Sequence, residues 1–165
     1  MGKVEGTAQE RLRDLFTKHS YAPLDVIIPI LEKAGRGEQE LTSQIYHADA
    51  TLTKGVKEIL GLKGRDMKTL ARVWEIIVSF EGGKIQPIEL DESRFSFSIS
   101  ECPMLHVGKD VSLGVKSKFC DLICTAGSKA LTETVLGEGR ATCSWDKALI
   151  KGAGKCTVAF SLVKP

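Results

Sequence analysis

Apolar residues recur at two different periods along this chain, and the change falls near Gly82. Before it the spacing is that of helices, three and four residues apart. Ala8, Leu12, Leu15 and Phe16 mark a first helix. Leu24, Ile27, Ile28 and Leu31 mark a second, with Pro29 bending it or moving its start and Gly35-Arg36-Gly37 ending it. Leu41, Ile45, Ala48, Leu52, Val56 and Ile59 form a long stripe closed by Gly61. Met67, Leu70, Ala71, Trp74, Ile77 and Val78 form a fourth, with Asp66 as its N-cap.

After Gly83 the pattern alternates, as half-buried strands do. Phe95, Phe97 and Ile99 interleave with Ser96, Ser98 and Ser100, which predicts one buried and one wet face. Ile88 and Leu90 predict a partner strand, the turn falling at Asp91-Glu92-Ser93 and Pro87 placing the partner at an edge. A helix resumes over 115–136, with Phe119, Ile123, Ala126 and Ala130 inward. Two strands follow: Ala141, Cys143 and Trp145 share a face of one, and Cys156, Val158, Phe160 and Leu162 a face of the other. The expected fold is α+β: amino-terminal helices packed on an antiparallel β-β-α-β-β layer. Residues 1–165 read as one domain, with a helical half (1–82) and a β-β-α-β-β half (83–165).

Composition narrows the function. Charged residues are 27% and hydrophobic residues 42%, ordinary for a globular chain, and the net charge is only +2. Lysines are dispersed among 21 acidic residues, which argues against nucleic acid and anionic membrane as partners. The longest apolar run, Val26 to Leu31, is too short to span a bilayer and is broken by Pro29. Met1-Gly2-Lys3-Val4-Glu5-Gly6 has no signal-peptide character, so a cytoplasmic location is expected.

Candidate chemistry concentrates in the last third, which holds all five cysteines. An odd count in a reducing compartment argues against a closed disulfide set. Cys102-Pro103 follows a strand directly, where the chain leaves the sheet. Cys102 there is a small buried residue or a pocket thiol. His106, four residues on, would serve Cys102, or Cys120 or Cys124 by reaching across, as a base, with Asp121 orienting it, although an exposed loop histidine is the reading the sequence favours. Cys120 and Cys124 project from one helix face and would either pack inward or bind one metal. Cys143 and Cys156 are expected to face each other across the last hairpin. No Cys-x2-Cys knuckle, phosphate loop, Gly-x-Ser-x-Gly or His-Glu-x-x-His motif is present.

Glu101-Cys102-Pro103, Phe119-Cys120-Asp121 and Gly154-Lys155-Cys156-Thr157-Val158-Ala159-Phe160 together resemble the L-2-amino-thiazoline-4-carboxylic acid hydrolase-like proteins and the related 4-vinyl-reductase-type small-molecule-binding domains. The resemblance spans roughly residues 40–163. It implies that Cys102, Cys120 and Cys156 match recurring cysteines, and that Asp121 stands where a glutamate is more common. Phenol-sensing relatives hold zinc with cysteines and one glutamate. By that likeness Cys120, Cys143 and Cys156 would be the thiolates, but Arg140 occupies the place expected for the glutamate.

Three functions stay open at this level. The first is a binding module for a small apolar or aromatic molecule, walled by Trp74, Phe95, Phe97, Trp145 and Phe160. The second is a hydrolase of a small cyclic amide or thiazoline-like compound, using Cys102 or Cys120 with His106 and Asp121. The third is an interaction unit, such as a homodimer formed through helices or an open sheet edge.

Overall fold

A computed structural model describes residues 33, 37–80, 83–102, 113–146, 149, 152 and 154–163. The two helices expected over 8–31, Pro103 and His106 lie outside them. The described elements are α1 (Gly37–Ile59), α2 (Met67–Phe80), β1 (Ile85–Leu90), β2 (Arg94–Ile99), α3 (Leu113–Leu136), β3 (Ala141–Asp146) and β4 (Cys156–Leu162). The four strands form one antiparallel sheet in the order β1-β2-β4-β3. The fold is α+β, as the change of period implies.

Local chemistry sets the boundaries. Gly61 takes a left-handed φ of +63°, which lets the Leu62 N–H reach back to the Lys57 carbonyl at 2.8 Å and close α1. The Asp66 carboxylate accepts the Thr69 N–H at 2.8 Å, the N-cap bond that starts α2. Between β1 and β2 the Asp91 carboxylate accepts the backbone N–H groups of Ser93 (2.7 Å) and Arg94 (2.8 Å), fixing the hairpin where the sequence predicts it. β1 is an edge strand, as Pro87 implies, and its register slips between Pro87 and Glu89, leaving Ile88 bulged and exposed.

The main core lies between α2, the carboxy-terminal half of α3 and one face of the sheet. It joins Met67, Leu70, Val73, Trp74, Ile77 and Val78 of α2 to Leu131, Val135 and Leu136 of α3, and to Phe95, Phe97, Val158 and Phe160. Each of these buried side chains contributes about 1.5–3 kcal/mol of hydrophobic stabilisation.

Two expectations about faces are corrected. The inward stripe of α1 is Leu41, Ile45, Asp49, Thr53 and Val56 rather than one through Ala48, Leu52 and Ile59, which are exposed. Polar Asp49 and Thr53 take inward positions because α1 packs along α3, where Gly127 and the buried Ala126 and Ala130 admit a close approach. A Cβ at Gly127 would overlap Asp49 Oδ2. The second correction concerns Ser96 and Ser98, which are buried, not wet. β2 is a central strand: Ser98 lies between Gln86 and Thr157, and Ser96 between Glu89 and Ala159, so neighbouring side chains shield the short hydroxyls.

Candidate functional site

The five aromatic residues singled out by pattern come together as one cluster. They arrive from two sources. Trp74 lies on the inward face of α2, and Phe95, Phe97, Trp145 and Phe160 occupy alternate positions of β2, β3 and β4 on the sheet face beneath it. Trp74 meets Phe97 at a centroid distance of 5.4 Å, Phe160 at 5.7 Å and Trp145 at 6.0 Å. Phe95 tilts against Phe97 at 5.2 Å and stacks on Phe160 at 5.7 Å. Such pairs add about 0.5–1.5 kcal/mol each beyond area burial.

Four of these rings are buried; the fifth, Trp145, is half-buried at the sheet margin and forms a wall of a cleft. The cleft measures about 310 Å³ and lies between α3 and β3. That is the lower end of the range for small-molecule pockets and enough for a single substituted ring. Cys124, Thr125, Ser128, Lys129, Thr132 and Glu133 line its α3 side, and Ala141, Cys143 and Trp145 its β3 side. Trp145 is held by one hydrogen bond, its Nε1–H donating to Ser128 Oγ at 2.7 Å.

Trp74 differs from it. Its Nε1–H is buried, with no acceptor among the described residues. A buried donor left unmade costs about 1–3 kcal/mol. Thr53 Oγ1, under α1, is the other buried polar atom in this condition among the described residues.

A second, more open groove of about 780 Å³ runs between the carboxy-terminal ends of α1 and α3. Glu133 borders both spaces. Its carboxylate accepts the Tyr46 hydroxyl at 2.7 Å, the main cause of a raised Tyr46 pKa, and Lys129 Nζ stands 6.0 Å from the Tyr46 ring centre. Lys57 donates to the Gly64 carbonyl at 3.2 Å, and burial lowers its pKa. At the α1–α3 crossing, burial pushes the Asp49 carboxyl up to about 6.

The thiols are spread over α3, β3, the start of β4 and the segment after β2. Cys120 is buried and Cys124 half-buried on α3, their Sγ atoms 3.7 Å apart. Cys102 is half-buried just beyond β2, and Asp121 is exposed on α3. Cys156 is buried at the start of β4, where its Sγ accepts the Leu149 N–H at 3.3 Å. Cys143 and Cys156 do not face each other, contrary to expectation. Cys143 pairs with Phe160, and Cys156 lies opposite Ile99 of β2. Four residues of β4 therefore separate their levels, about 13 Å at a strand's rise per residue. Two sulfurs on one zinc lie within about 4.6 Å of each other, so this pair does not fit a shared ion. Among the described residues no group of three or more His, Cys, Asp or Glu side chains could hold a metal.

The sequence reading missed the cleft's α3 wall. Thr125, Ser128, Lys129, Thr132 and Glu133 recur at steps of three, one, three and one, a polar stripe along the second half of the helix. That stripe was the available signal. No described helix is long and apolar enough to cross a membrane.

No established family profile matches the chain, and no curated protein matches it. Solved structures do resemble it. One is trafficking protein particle complex subunit 3 from Naegleria fowleri, covalently bound to palmitic acid, with a TM-score of 0.65 and 17% identity over 94% of this chain and 97% of that one. Another is the phenol-responsive sensory domain of the transcription activator PoxR with phenol, with a TM-score of 0.56 and 14% identity over 88% of this chain and 74% of that one. What the chain shares with both, at these identities, is the fold.

Proposed function

We propose that this chain is a small-molecule-binding domain whose ligand is a compact aromatic or apolar molecule, received in the cleft between α3 and β3. The observation that carries the reading is the Trp74 indole N–H, buried in a five-ring cluster without an acceptor among the described residues, one ring away from the cleft wall. A ligand oxygen reaching past Trp145 would supply the acceptor, and its ring would meet an aromatic surface. Moving Trp145 aside breaks one neutral hydrogen bond, worth about 1 kcal/mol. Two proteins of this fold are described with such molecules, phenol in one and palmitic acid in the other. The motif resemblance to vinyl-reductase-type domains belongs to the same proposal. Hydrolysis by Cys102 or Cys120 with His106 and Asp121 gains no such support, because His106 lies outside the described residues.

Trp74 and Trp145 are the chain's only tryptophans, so intrinsic indole fluorescence reports on this cluster alone. Titration with phenol, methyl-substituted phenols and short fatty acids should give a saturable change with at least one class, and that ligand should raise the melting temperature. Linear, non-saturating responses to every class, with no thermal shift, would overturn the proposal.

A further inference from the structure

We propose that Cys120 and Cys124 form a dithiol site for a trivalent organoarsenical, with the organic group directed into the α3–β3 cleft. The two Sγ atoms stand 3.7 Å apart, too far for a bond and close enough for one bridging atom. Helix geometry keeps them so. Cβ atoms four residues apart on a helix lie about 5–6 Å from each other. A disulfide needs about 3.5–4.5 Å, so oxidation of the pair would have to distort α3. A bridging atom meets no such obstacle. With bonds of about 2.3 Å, the length of a zinc–thiolate bond, a 3.7 Å separation subtends about 107° at the bridge. That suits a pyramidal trivalent centre and excludes a linear two-coordinate ion, which would need about 4.6 Å. Two sulfurs complete such a centre when its third bond is to carbon.

The surroundings fit the organic group. Cys124 lines the cleft together with Trp145 and Cys143, while Cys120 lies buried one turn earlier on α3. A phenyl substituent on the arsenic would therefore lie near the Trp145 indole. With phenylarsine oxide the step is a condensation. Two S–H bonds and the arsenic–oxygen bond break, two arsenic–sulfur bonds form, and the oxygen leaves with both protons as water. Arsenic stays trivalent, and no oxidant or reductant is needed. The site shares the cleft of the proposed ligand but does not depend on that reading, since its thiols bind whether or not phenol does.

The test uses the full chain, reduced and folded, with phenylarsine oxide at one equivalent. Native mass spectrometry should show one arsenical per chain with loss of one water. A dithiol competitor should reverse it, and a monothiol should not. Alkylation followed by peptide mapping should find Cys120 and Cys124 protected and Cys102 and Cys156, which lie outside the cleft lining, modified at the rate of the untreated chain. Cys120→Ser and Cys124→Ser should each lower occupancy at least tenfold, and Cys102→Ser, away from the cleft lining, should leave it unchanged. Because the mapping needs no substitution, it decides the matter even where Cys120→Ser unfolds the chain. Protection of any other pair, or an adduct that forms only in urea, would overturn the assignment.

Discussion

Replacing Asp49 with Asn should make the chain more stable at neutral pH and remove a pH dependence that the wild type shows. Asp49 sits on the inward stripe of α1 against Gly127, and burial raises its carboxyl from 3.8 to about 6. The folded chain therefore holds this proton more tightly than the unfolded chain does. The associated stability is fully present below the unfolded value, near pH 4, and is lost as the pH rises through about 6. At about 1.4 kcal/mol per tenfold change in proton affinity, the full span is about 3 kcal/mol. The carboxyl keeps partial contact with water, which reduces the expected effect to about 2 kcal/mol. Asn cannot ionise and keeps the shape. Urea unfolding of both proteins at pH 4.5 and pH 8 measures the difference directly. At a slope of about 2 kcal/mol per molar, the Asp49→Asn midpoint should gain about 1 M on the wild type between the two pH values. A difference that stays constant from pH 4.5 to pH 8 would show that Asp49 titrates alike in folded and unfolded chains, and the burial argument would fail.

Three further outcomes follow from named contacts. Gly127→Ala sets the overlap of its methyl group with Asp49 Oδ2 against a helix-propensity gain of about 1 kcal/mol, so it should be more favourable by about 1 kcal/mol or more in an Asp49→Ala background than in the wild type, as a double-mutant cycle would measure. Trp145→Phe removes the donor to Ser128, a buried residue, and should cost about 1–2 kcal/mol in urea unfolding while leaving the far-ultraviolet circular dichroism unchanged. Asp66→Ala should cost about 1 kcal/mol at neutral pH by removing the α2 N-cap. The Thr69 N–H bond holds the Asp66 carboxyl below its ordinary value, so the penalty should shrink as the pH falls below the usual carboxylate range, with thermal melts at pH 7 and pH 2.5 as the check.

The fold was legible wherever one face of an element is apolar and the other polar. α2, β2, β3 and β4 show such faces, and Asp66 and Asp91 mark the starts of α2 and β2, as Gly61 marks the end of α1, by side-chain and backbone chemistry that is local in sequence. α1 misled because its partner, α3, presents Gly127 and alanines, so the contact selects for closeness rather than apolar bulk and accepts Asp49 and Thr53. Ser96 and Ser98 misled because alternation with a hydroxyl-bearing residue predicts a wet face, whereas strand order, which sequence does not state, makes β2 central. At the candidate site the aromatic cluster was readable from strand alternation and helix spacing together. The placement of Cys143 against Cys156 was not, since it depends on the β3–β4 register, set by a loop whose length alone fixes no pairing. That the Trp74 indole finds no acceptor among the described residues was invisible to any pattern, because only the packed surroundings show it.

The two margins of the sheet differ in a way that governs assembly. Along β1, Pro87 offers no amide hydrogen and the displaced Ile88 breaks the regular spacing of donors and acceptors, so an incoming strand finds no continuous template there. β3 carries no such interruption. Among the described strands, an added strand would find an unbroken row of backbone donors and acceptors along β3 only.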